Sequence, residues 1–167
     1  MRWLSKILNY VPKSERVGLA LDLSNAWRLE PVSDASVFLQ ALPALQLSSA
    51  VLYLEGTTDG AVAKCLEEYA VKPTVKIAPG TVWPRPDIYH VPMSHDVLNR
   101  LGRIVDDKGA AFLAFHVHVY ANGEVVLQWH DAFESIPFYV SSRIDEQRIK
   151  DLAEQLGVGY SRLSEAS

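Results

Sequence analysis

The chain of 167 residues is 49% hydrophobic and 22% charged, which fits one globular domain and excludes a disordered tail or a two-domain protein. Sixteen Lys and Arg against twenty Asp and Glu give a net charge of -4, so the composition shows no basic footprint for nucleic acid. A single cysteine, Cys65, excludes an internal disulfide or a paired-cysteine zinc site, and fits a reducing cytoplasm.

In chain order, residues 1–12 place Trp3, Leu4, Ile7, Leu8 and Val11 on one helical stripe, predicting an amphipathic helix docked on its own domain. Ser5, Lys6 and Asn9 interrupt the apolar run, so the segment does not read as a signal peptide, and contact with a membrane surface is the lesser use. Residues 17–24 alternate Leu19, Leu21 and Leu23 with Ala20, Asp22 and Ser24, the period of a half-buried strand. Ser33 or Asp34 caps a short helix carrying Val37, Phe38, Ala41 and Leu42, which Pro43 stops. Residues 50–55 read as a strand, Asp59 as the cap of a helix over 60–70, and residues 74–78 as a further strand. Strand, helix and strand in that order predict a βαβ crossover with parallel strands. Cys65 shares a helical face with Ala61, Val62, Leu66 and Tyr69 and reads as core.

Residues 79–92 hold Pro79, Pro84, Pro86 and Pro92 among Trp83, Arg85, Tyr89 and His90. This predicts a stiff loop, with a short edge strand at 88–91. Ser94 caps a helix with Val97, Leu98, Leu101, Ile104 and Val105 on one face, ended by Gly109. A long hairpin is predicted over 111–131, then a strand over 137–141. The last helix is predicted from Ser142, with Asp145 completing a capping box, to Gly157, and residues 161–167 read as a flexible tail.

The hairpin admits two registers. A two-residue Asn122-Gly123 turn sets Tyr120 opposite Val125 and mixes polar with apolar residues on each face. A three-residue turn over 121–123 sets Tyr120 opposite Glu124 and gathers Leu113, Phe115, Val117, Val119, Val125, Leu127 and Trp129 on one face. The clean segregation favours the three-residue turn. It also places His116, His118 and His130 together on the polar face, where a His-x-His pair with a third imidazole across can hold zinc and activate water. Should the proline-rich loop fold over that face, a pocket with several imidazoles would result.

The predicted architecture is therefore α+β over residues 1–167: one domain, a mixed sheet of about six strands, and four or five helices. No serine-nucleophile or phosphate-loop motif is present, and residues 54–60 read as a tight turn with a cap. The expected function is that of a non-catalytic cytoplasmic interaction protein of the immunity or inhibitor kind, which binds another protein. Its recognition residues are expected in the loop, at Trp83, Arg85, Tyr89 and His90. The alternative is a zinc-dependent hydrolase built on His116, His118 and His130. Residues 1–16 carry +3, which leaves -7 on the rest and favours a basic partner for that body.

Overall fold

Among the described residues, four α-helices form where a capping side chain meets an apolar stripe. Asp34 accepts from the Val37 amide to open α1 (Ala35–Ala41), and Asp59 accepts from Ala61 and Val62 to open α2 (Gly60–Glu68). Ser94 accepts from Val97 to open α3 (His95–Asp106), and Asp145 accepts from Arg148 to open α4 (Glu146–Leu156). Each cap satisfies first-turn amides that have no helical carbonyl to bond, worth about 1 kcal/mol apiece. The last helix thus starts after Asp145 and not at Ser142, because residues 142–144 form a turn that delivers the cap. These elements belong to a computed structural model that describes residues 17–81 and 83–164, so the helix expected over 1–12 lies outside the described residues.

Seven strands form one sheet: β1 (Trp27–Leu29), β2 (Val51–Glu55), β3 (Ile88–Pro92), β4 (His116–Ala121), β5 (Glu124–Trp129), β6 (Phe138–Val140) and β7 (Tyr160–Arg162). Their order is β3-β2-β4-β5-β6-β1-β7, and every pairing is antiparallel. The domain is α+β, with one more strand than expected. Its sheet is not mixed, and the expected βαβ unit does not form. Both edges of β2 are taken, by β3 and β4, so residues 74–78 have no place beside it. Ile77 instead makes a single parallel bridge with Leu19. That bridge is also all that remains of the strand expected over 17–24, where Asp22 folds back to accept from the amide and hydroxyl of Ser24. The strand comes later, at β1. Ser161 and Arg162, expected in a flexible tail, pair with β1 as β7, and the Arg162 guanidinium lies 4.5 Å from the Trp27 ring centroid.

The hairpin corrects the register argument. Asn122 and Gly123 both take positive φ, 52° and 80°, and form a two-residue turn with Ala121 opposite Glu124 and Tyr120 opposite Val125. Val119 then pairs with Leu127, which leaves Val126 as an extra residue in a bulge. The bulge resets the parity that the turn had imposed. Val117, Val119, Leu127 and Trp129 consequently share the main core with Val126, while Val125 joins Tyr120 on the other side. Phe115, expected in that core, is 48% exposed.

All four helices lie against one face of the sheet. Leu52, Leu54, Val91, Val117, Leu127 and Trp129 meet Phe38, Leu66, Leu101 and Leu152 in a single cluster. Trp129 anchors it, with Phe38, Phe133 and Phe138 at 5.0, 4.7 and 5.1 Å and its indole N–H donated to the Ile136 carbonyl. The opposite face is covered too, by irregular chain. Residues 19–21 and 75–78 pack across it, joined by Leu19–Lys76 and Ala78–Leu19 backbone hydrogen bonds, and Leu21 and Ile77 cluster with Tyr53, Tyr120 and Val125. The polar side of the hairpin is therefore an inner surface.

Candidate functional site

Alternation on β2, β3 and β4 sends Leu52, Leu54, Val91, Val117 and Val119 to the helices, and sends Tyr53, Glu55, His90, His116, His118 and Tyr120 to the opposite face. Pairing sets Tyr53 between His90 and His118, and Glu55 beside His116. The Tyr53 ring meets both imidazoles edge-on, at centroid distances of 5.3 and 5.2 Å. His130, which follows β5, closes the group at 5.2 Å from His116 and 5.0 Å from His118. Four of the five histidines thus gather on one face. His95 stands apart, exposed at the start of α3 and bonded to Asn99.

Glu55 is the hub. It has no solvent exposure, and its carboxylate accepts from the Tyr53 hydroxyl at 2.7 Å, the Gly80 amide at 3.0 Å and the Thr81 amide at 2.6 Å. Three donors are what an acceptor-only group needs when water is excluded. Gly80 is required at the contact: a Cβ there would lie 2.5 Å from the His116 ring. The loop at 79–81 is in this way clamped onto the histidine face.

His116 accepts from the Asp131 amide at Nδ1, 3.0 Å, so its proton in the neutral ring sits on Nε2 and is donated to the Thr81 hydroxyl at 2.9 Å. That tautomer opposes a nucleophile–base reading of the Thr81–His116 pair, since the ring nitrogen facing the hydroxyl has no lone pair to take its proton. His118 is 1% exposed and its Nδ1 has no hydrogen-bond partner. Burial, reinforced by the neighbouring His130 and His116, pushes its pKa down to about 3. Burial also lowers His130, with His116 adding to the effect and Glu55 and Asp131 opposing it, and lowers His90. Tyr53 is raised by burial and by its bond to Glu55. Burial thus favours the neutral ring at His90, His118 and His130.

Among the described residues no three His, Cys, Asp or Glu side chains are arranged to hold a metal ion. His116, His118 and His130 meet, through the bulge and not the expected three-residue turn, but ring edge to ring edge, and His116 has both nitrogens engaged by protein.

Beside the cluster lies a cavity of about 520 Å³. Tyr53 and His90 reach it from the sheet, and Val75, Ile77, Pro79 and Pro86 border it from the covering chain. Lys76 and Arg85 also line it. His90 is held there by a 3.1 Å hydrogen bond between Nδ1 and the Tyr120 hydroxyl. The four loop residues expected to act together are divided. Arg85 and His90 border the cavity, whereas Tyr89 points to the helix side and packs on the main core. Trp83 is 76% exposed. β3, expected as a short edge strand, is one, and its outer edge is partly closed: Val71 donates to the His90 carbonyl, and Pro92 has no amide to offer. Glu55 and Tyr53 are site residues that the sequence expectation did not include, although their alternation with Leu52 and Leu54 on a strand carried the signal.

No protein-family model, curated protein or solved structure matches the chain.

Proposed function

We propose that the protein is a non-catalytic binding module whose ligand, a small organic molecule, enters the cavity between the sheet and the proline-stiffened chain at 73–88. The observation that carries this reading is the cavity itself. At about 520 Å³ it falls in the range of small-molecule sites, and its border is mostly apolar with a few converging polar groups at Tyr53, Thr81, Arg85 and His90. Prolines 73, 79 and 86 border it, so little chain has to be ordered when a ligand arrives. Both ring nitrogens of His116 are engaged by protein and the Glu55 carboxylate already accepts from three donors, which supports binding over chemistry at those two groups.

The test is a fluorescence titration with N-phenyl-naphthylamine, an uncharged apolar probe that brightens when it leaves water. Saturable binding to one site is expected, and it should be lost in Val75→Trp and Ile88→Trp, two substitutions that add bulk at the cavity border. Equal binding by folded filled variants, or no saturable binding by the native chain, contradicts the reading.

Trp83 favours a second reading. An indole 76% exposed on a proline-flanked loop is the kind of group that anchors a protein partner, as the sequence expectation held. The acidic body makes a basic partner the natural complement. Trp83→Ala should then weaken capture of that partner at least tenfold while leaving probe binding in the cavity unchanged. Undiminished capture would exclude this use of the loop.

A further inference from the structure

We infer that the ligand of this cavity is a largely apolar organic monoanion whose charge is read by Arg85. The inference rests on the cavity reading above and adds the chemical class. Among the described residues, no Asp or Glu borders the cavity, although the chain as a whole is acidic at -4. Two cationic side chains do border it, Lys76 and Arg85. Arg85 makes no ion pair or hydrogen bond among the described residues, and Asp87, two positions on, does not engage it. An arginine fork without a carboxylate, set at the mouth of an apolar cavity, complements one carboxylate, sulfonate or similar group.

The other polar groups point to a single charge. Glu55 already consumes the Tyr53 hydroxyl and the Gly80 and Thr81 amides, so those donors are not offered to a ligand. His90 is kept neutral by burial and is anchored through Nδ1 to Tyr120, which leaves its other nitrogen for at most one hydrogen bond. Of the two cations, Lys76 already has an interaction within the chain, so a polyanion would bring more charge than Arg85 and His90 can match, and would meet the Glu55 carboxylate just behind Tyr53. The apolar body of the ligand rests against Val75, Ile77 and Ile88 and the ring of Tyr53. With a water-sized group taking about 30 Å³, the cavity of about 520 Å³ has room for roughly 17 such groups, about that of a two- or three-ring aromatic body with one charged substituent.

The test compares two probes with the same aromatic body, uncharged N-phenyl-naphthylamine and anionic anilinonaphthalene sulfonate, by fluorescence titration of the full chain at low salt. The sulfonate is expected to bind about fivefold tighter than the neutral probe, the gain of one partly solvated charge contact. Arg85→Gln should erase that difference, while Arg85→Lys should keep most of it. Thermal melts of both variants establish that they fold, and Arg85 is exposed enough for substitution to spare the core. If both probes bind equally, or if Arg85→Gln leaves sulfonate affinity unchanged while Val75→Trp abolishes it, the anion inference fails and the cavity reading stands. If neither probe binds saturably, both fail.

Discussion

Glu55 shows how a single residue can hold a site together. Its carboxylate draws the Tyr53 hydroxyl from the sheet and two loop amides from residues 80 and 81, so removing it leaves one buried hydroxyl and two part-buried amides without an acceptor. Glu55→Ala is expected to cost roughly 3 kcal/mol in urea unfolding, and Glu55→Gln about half that, because the amide oxygen retains part of the acceptor capacity. His118 supplies the pH dependence. Above about pH 6.5 its imidazole is neutral in both the folded and unfolded chain, and nothing is gained or lost. Below that, the unfolded chain takes up a proton that the buried ring refuses until about pH 3, so stability falls as pH falls through this window. The slope is about 1.4 kcal/mol per pH unit for one such group. His118→Phe keeps the ring and removes the proton, so the loss measured between pH 6.5 and 5 should shrink by that slope. The lowered His90 and His130 account for what remains. The sequence put His116, His118 and His130 on one face through a three-residue turn, whereas the structure brings them together through a two-residue turn and a bulge, and irregular chain covers that face. A Glu on a strand end looks the same whether it meets water or two loop amides.

The hairpin of β4 and β5 shows the same limit at the scale of an element. Segregating polar from apolar residues was sound, yet the turn chemistry of Asn122-Gly123 was decided locally and the conflict was resolved by the bulge at Val126, not by a longer turn. Deleting Val126 should restore unbroken pairing with Leu127 still opposite Val119 and Trp129 opposite Val117, because the deletion removes the extra residue itself. A cooperative thermal melt is the expected result, and loss of cooperative unfolding would show that the bulge does more than absorb one residue of register. Gly123→Ala meets no neighbouring atom but must hold φ near +80°, so a loss of about 1 kcal/mol is expected from backbone strain alone. Helices were the most legible elements because Asp34, Asp59 and Ser94 cap their own next turn, a signal contained in a few residues. Pairing was the least legible. Residues 74–78 alternate as a strand should, but whether they join β2 depends on β3 and β4 having taken its edges, and that is settled far away in sequence.

Over the whole molecule, the sheet is covered on both sides by different means: four helices on one face, and on the other the segments at 19–21 and 75–78 with the loop that follows. Helices close their side with an apolar core, whereas the irregular layer leaves polar groups in dry surroundings and a cavity beside them. No helix among the described residues is long and apolar enough to cross a membrane. The acidic balance of the body makes the cationic lining at Lys76 and Arg85 a local exception, and the proposed anionic ligand complements it. The most direct test is amide chemical-shift mapping of the isotope-labelled chain during titration with anilinonaphthalene sulfonate. Saturating shifts confined to residues 75–77, 81, 85, 88 and 90 are expected, with α4 and the far edge at β7 unmoved. Shifts scattered over the surface, or centred away from the cavity, would contradict the claim that this cavity is where the protein binds.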